Sequence, residues 1–306
     1  MLTDRGFPTD VDVARDLFQI AADRAGLRVD GLDGGPGRPH ATLDWVRLGA
    51  PGARNLIVIG TGAVGRGSFA AAGAITHLLE GPIRRMLPAG VQALLIHAAN
   101  PSGPLWSLGE IPPAPPLPLR SEPATRSGES WTSALLANAE RRFRDFQQAS
   151  RMAEEAAERQ SGEALLPAFS TSVQDIILSE FEELPPRAVL LDLRPGHGPF
   201  GRLSVLAAAP AASDAALAAH RLFGAELPSA GQVPRAIGGL AEHMHAVETI
   251  ALIAEVGTRS TESALFSAFG AGHGDPITSN MDWRADFLAH AQSLTGRVIS
   301  RLAEGW

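Results

Sequence analysis

The sequence predicts an α/β fold: a mixed, mainly parallel sheet with helices on both faces, three layers deep. Three observations carry this. Short unbroken apolar runs, NLIVIG (55–60), VQALLIH (91–97) and RAVLLDL (187–193), have the length and composition of strands buried on both sides. Segments with helical spacing alternate with them, as a parallel sheet requires. The runs end in loops rich in Gly or polar residues, and it is outside the carboxyl ends of strands that such sheets bind ligands.

The elements follow in chain order. Residues 10–26 read as a helix, since Val11, Ala14, Leu17, Ile20 and Ala21 share a face. A Gly- and Pro-rich stretch, Gly31 to Pro39, breaks the chain. Ala41–Leu48 and Asn55–Gly60 are strands, and residues 67–80, small and apolar, suit a helix laid close on a sheet. Val91–His97 is the next strand. IPPAPPLP (111–118) can be neither helix nor central strand and marks an extended loop within 109–130. Helix is expected over 131–160, where the charged stretch Glu140–Arg159 reads as a solvated face, and from Val173 to Phe181. Strands follow at Arg187–Leu193, Leu203–Ala208 and Ile250–Val256, and helices at Ala215–Phe223, Ser260–Phe269 and Trp283–Leu302. The length of 306 residues fits one domain spanning 1–306. Its four ligand-facing strand ends are Gly60–Gly65, His97–Gly103, Arg194–Gly201 and Glu255–Thr258.

Composition excludes several chemistries. All 26 basic residues are Arg, and neither Cys nor Tyr occurs. Schiff-base lysines, thiol nucleophiles, disulfides and thiolate-bound zinc are therefore ruled out. A net charge of -7 argues against a nucleic-acid surface. The polar start MLTDRGFPTD is no secretory signal, and no apolar run nears the roughly 20 residues of a membrane span, so a cytoplasmic protein is expected.

The strand ends also carry a family resemblance. HAANPSGPLW (97–106) resembles the strand-and-loop signature of zinc-carboxypeptidase-like proteins, nearest to a bacterial branch filed as a domain of unknown function. That branch shows, in order, G-T-H-G-V-E-G, H-A-x-N-P-x-G-x-x-W, D-L-N-R-N, L-H-x-G-x-G-P-x-G and E-F-G-T. Residues 55 to 260 match the order and approximate spacing of these five, with AEVGT (254–258) at the last, and HGDP (273–276) and the final helix extend the likeness. The resemblance implies a carboxypeptidase-like α/β fold and a hydrolase ancestry.

The departures fall on the metal. The resemblance implies zinc ligands at three positions, and here they hold Gly62, Gly65 and Arg194. Glycine has no donor side chain and a guanidinium is a permanent cation. Zinc, which takes about three protein ligands in a catalytic site, should not bind in the family's manner, and without it water keeps a pKa of about 15.7 instead of about 7. No cofactor is expected. Glu255 matches the family's general base, Arg120 approximates its carboxylate-gripping Arg, and Asn100 matches its N-P pair.

Each candidate has a plainer reading beside the functional one. Glu255 is either a base or ligand-holding carboxylate, or half of a closed ion pair with Arg194. Arg194 either stands where zinc would sit and pairs with Glu255, or faces solvent. His197 is a displaced ligand or base, or an ordinary loop residue. His97 is read as a structural histidine bonded to backbone. Glu242, His243 and His245 have metal-like spacing but also fit a surface pair. Gly60, Gly62 and Gly65 match a dinucleotide fingerprint, yet no acidic residue ends a strand about 20 residues later. The proline run is a partner motif or a rigid loop.

The functional expectation is a zinc-free relative of these peptidases. It binds a small carboxylate or amide ligand, amino-acid-like or peptide-like, through Arg120, Arg194 and Asn100. Whether it is an enzyme stays open: it is non-catalytic, or runs metal-independent acyl transfer or proton abstraction with Glu255. The alternatives are a zinc-dependent peptidase or amidohydrolase with ligands relocated to His197, His243, His245 and Glu255, and a scaffold protein using helix 140–160 and the proline loop.

Overall fold

The computed structural model describes residues 7–8, 11–33, 42–60, 66–97, 176–177, 180–181, 185–209, 212–224, 227–228, 248–259 and 280–305. Gly62, Gly65, Asn100, Arg120, Glu242, His243 and His245, the proline loop, helix 131–160 and helix 260–269 lie outside them. Of His197 only the backbone is described.

The described elements run α1 (Val11–Arg24), β1 (Asp30–Asp33), β2 (Thr42–Leu48), β3 (Asn55–Gly60), α2 (Arg66–Leu79), α3 (Pro82–Met86), β4 (Val91–Ile96), β5 (Arg187–Pro199), β6 (Leu203–Ala207), α4 (Asp214–Phe223), β7 (Glu248–Arg259) and α5 (Met281–Glu304). The strands form one sheet in the order β1-β2-β4-β3-β5-β7-β6. β4, β3, β5 and β7 are parallel neighbours, and β1, β2 and β6 join antiparallel at the two edges. This is the mixed, mainly parallel sheet the apolar runs predict.

The alternation of side chains splits the core in two. On one face Ile57, Ile59, Val189, Leu191, Ile250 and Leu252 meet α1, α2, α4 and α5. On the other, Leu56, Val58, Leu190, Ala251 and Ile253 meet Ile176, Ile177 and Phe181. α2 lies close because Ala70, Ala71, Ala72 and Ala74 are small and wholly buried. Side-chain caps fix two helix starts: the Ser213 hydroxyl accepts from the Ala216 amide, and Asn280 Oδ1 accepts from the Asp282 and Trp283 amides. Gly224 and Gly305 close the same helices in the left-handed conformation.

Several boundaries differ from those expected. Asp30–Asp33, in and beside the predicted break, is an edge strand paired to β2. It is short and polar, so its sequence carries no burial signal. β7 runs two residues earlier and three later than its apolar core. The larger difference is at β5, which does not stop at Leu193 but continues through Arg194 to Pro199 alongside β7. Pro195, which has no N–H to give a ladder, stands beyond the last described pair with β3, Gly60 opposite Asp192. Arg194 therefore sits in a strand, not in a turn. α3, a single turn started by Pro82, was not foreseen.

Candidate functional site

The chain leaves β3 toward β4 on one side, while β5 leads on to β6 and β7 on the other. The carboxyl ends of β3 and β5 thus flank a reversal of strand order, the position where open α/β sheets form a ligand crevice. Register decides which side chains reach it. Gly60, Asp192 and Ile253 are level across β3, β5 and β7. Two residues further out, Arg194 pairs with Glu255, and Glu255 pairs in turn with Ser204 of β6. Paired residues share a face. Arg194, Glu255 and Ser204 therefore form a polar row, on the face opposite α1, α2, α4 and α5, with Asp192 one row behind.

Within this row the ion pair is not the one expected. The Arg194 guanidinium donates to Asp192 Oδ2 through Nε at 3.0 Å and through a terminal nitrogen as well. The side chain of its strand partner Glu255 has no hydrogen bond or ion pair among the described residues. The cause is geometric: Asp192 and Arg194 are two apart on one strand, so their side chains project the same way, and Asp192 is fully buried and demands a counter-charge. Arg194 itself is 11% exposed, so the solvent-facing reading fails as well. Glu255 is half-buried and Ser204 is exposed.

The edge is held from beneath by α5. The Trp283 indole N–H donates to the Gly257 carbonyl at 2.8 Å, two residues beyond Glu255. His290 Nε2 donates to the Gly201 carbonyl, also at 2.8 Å, in the turn between β5 and β6. Gly201 has φ 68°, a left-handed conformation suited to glycine, and its amide also donates to the Gly257 carbonyl. Sequence reasoning missed Asp192, Ser204, Trp283 and His290.

His97, just past β4, is structural, as expected. It is buried, its ring centroid lies 5.0 Å from that of Phe18, and it bonds to the backbone of Ala14. Burial pushes its pKa down to about 4; the Ala14 carbonyl opposes this and the Arg15 charge adds to it. Among the described residues Nε2 has no hydrogen-bond partner, so the carbonyl bond is assigned to Nδ1. Arg15 is bound to the buried Asp44 at 2.6 Å, and the Asp44 carbonyl accepts from the His97 amide.

Zinc is the group the resemblance implies, and the described residues offer it little. Arg194 carries a permanent positive charge and donates to Asp192, so it offers no donor to a metal. Among the described residues no three His, Asp or Glu side chains cluster as a metal site. No described helix is long and apolar enough to cross a membrane.

Comparison with known proteins agrees with this fold. A family described as a protein of unknown function, DUF2817, matches residues 7–108. No curated protein matches the chain. Among solved structures, a metallo-carboxypeptidase from Burkholderia cenocepacia superposes with a TM-score of 0.52 at 12% identity, covering 96% of this chain and 69% of its own. A protein provisionally named carboxypeptidase A from Shewanella denitrificans OS-217 gives 0.51 at 10% identity, covering 96% and 70%. One provisionally named carboxypeptidase from Burkholderia mallei gives 0.50 at 13% identity, covering 97% and 69%. At such identities the likeness establishes a carboxypeptidase-like α/β fold.

Proposed function

We propose that the chain is a carboxypeptidase-fold protein that works without the zinc of the peptidases it resembles, and that it binds a small carboxylate or amide ligand, amino-acid-like or peptide-like, at the carboxyl edge of β5 and β7. The observation that carries the reading is the Arg194 guanidinium. It is fixed by buried Asp192 beside the strand-order reversal, at the position where the resemblance places a zinc ligand. A planar cation held in this way suits a carboxylate or a carbonyl oxygen. With Gly62 and Gly65 lacking donors, a divalent ion has nothing to replace that role.

In this reading Arg194 orients the ligand, assisted by Arg120 and Asn100, and Glu255 holds or accepts a proton next to it. Chemistry without a metal would then be limited to what a carboxylate base does, proton abstraction or assistance to acyl transfer. Elemental analysis of the purified full-length chain, with calorimetric titration of amino acids and N-acyl amino acids, tests this. The expected result is no stoichiometric zinc, unchanged thermal stability after chelation, and saturable binding that Arg194→Ala abolishes. One zinc per chain whose removal abolishes a hydrolytic activity would overturn it in favour of relocated ligands among His197, His243, His245 and Glu255.

A further inference from the structure

We infer that the ligand is a zwitterion, carrying a protonated amino group next to its carboxylate, and that Ser204 is part of its site. This rests on the carboxylate-binding reading above. The argument comes from the row that register builds across three strands. Arg194, Glu255 and Ser204 stand side by side on one face, about 5 Å apart from strand to strand. Their chemistry is asymmetric. Arg194 only donates hydrogen bonds, an ionised Glu255 only accepts them, and Ser204 can accept as well.

Charge points the same way. Two carboxylates, Asp192 and Glu255, accompany one guanidinium, which is bonded to Asp192. Among the described residues, Glu255 is the charged member of this row with no ion pair. Glu255 is half-buried, where a carboxylate without a cation is poorly solvated, and it has no ion pair among the described residues. A ligand with a carboxylate alone would meet Arg194 favourably and Glu255 unfavourably. An ammonium beside that carboxylate reverses the second contact. In a free amino acid the two charged groups are separated by a single carbon, and Arg194 and Glu255 are neighbours across one strand step. Ser204, one strand further, accepts a second ammonium hydrogen.

The test is calorimetric titration of the intact protein with the free L-amino acids and with their N-acetyl derivatives, which keep the carboxylate and lose the positive charge. At least one free amino acid should bind about tenfold or more tightly than its N-acetyl form, the size expected for losing a charged hydrogen bond. Glu255→Gln should erase that preference, and Ser204→Ala should weaken the free amino acid several-fold while leaving the N-acetyl form unchanged. Equal or tighter binding of the N-acetyl forms to the unsubstituted protein overturns the inference and leaves the carboxylate reading standing. Failure of both sets to bind overturns both.

Discussion

At the scale of single residues, the Asp192–Arg194 pair dominates this edge of the sheet. Asp192 is fully buried inside β5, at the end of its apolar stretch, and a carboxylate there is tolerable only with a cation against it. Arg194→Ala should therefore lower stability, on the order of 3–5 kcal/mol, because it takes a bonded cation away from a buried carboxylate. Much of that loss should return in the double variant Asp192→Asn with Arg194→Ala, which removes the buried carboxylate together with its bonded cation. Urea denaturation of the single and double variants separates the cases. If the double variant is as unstable as the single one, Arg194 stabilises through packing and the ion pair is incidental. Arg194→Lys keeps the charge but loses the fork, and should fall between wild type and Ala.

At the scale of elements, the contact between α2 and the start of the chain sets how closely the helix layer can approach the sheet. Gly73 sits in the middle of α2, where Ala would normally add about 1 kcal/mol through helix propensity. Here a Cβ would lie 2.5 Å from Phe7 Cδ1 and 3.2 Å from Pro8 Cδ. The Phe7 ring has nowhere to go: it packs edge-on against Trp283 and Phe287 of α5 at 6.1 Å from each. Overpacking of this kind costs about 1–3 kcal/mol, so it wins. Gly73→Ala should lower the melting temperature, and adding Phe7→Ala should make the two changes strongly non-additive. A stabilised Gly73→Ala protein would show that Phe7 is not held in the wedge between α2 and α5. The same contact explains why α2 and α5 were legible as elements while their packing was not. Alanine runs and 3.6-residue periodicity announce a helix, but only the fold brings Phe7 under Gly73.

At the scale of the whole molecule, legibility followed the range of the signal. β3, β4 and the cores of β5 and β7 could be read because burial on both faces writes an unbroken apolar run into a few adjacent residues. β1 could not, since DGLD is a short, polar run at the edge of the sheet. At the site, Arg194 and Glu255 were visible one by one. Their partners were not: Asp192 is hidden inside RAVLLDL, and Ser204 joins the row only through the register of β6 on β7. His97 was read correctly, and it gives the molecule a pH dependence with a definite sign. Its folded pKa, about 4, lies below the ordinary 6.5, because the fold buries the ring beside Phe18 and the Arg15 charge. The neutral form is the one the fold accepts, so the full contribution to stability is present above pH 6.5 and is lost as pH falls from 6.5 toward 4. Between pH 7.5 and 4.5 this amounts to roughly 2–3 kcal/mol. Half-buried His77 is shifted down as well, mainly by desolvation, so wild-type data alone would not isolate the effect. His97→Gln removes one titration and leaves the other. The difference in unfolding free energy between wild type and His97→Gln should therefore shrink by roughly that amount on acidification. A difference that stays constant across the range would mean that the imidazole is as easily protonated in the folded chain as in the unfolded one, and that α1 does not seal it from water.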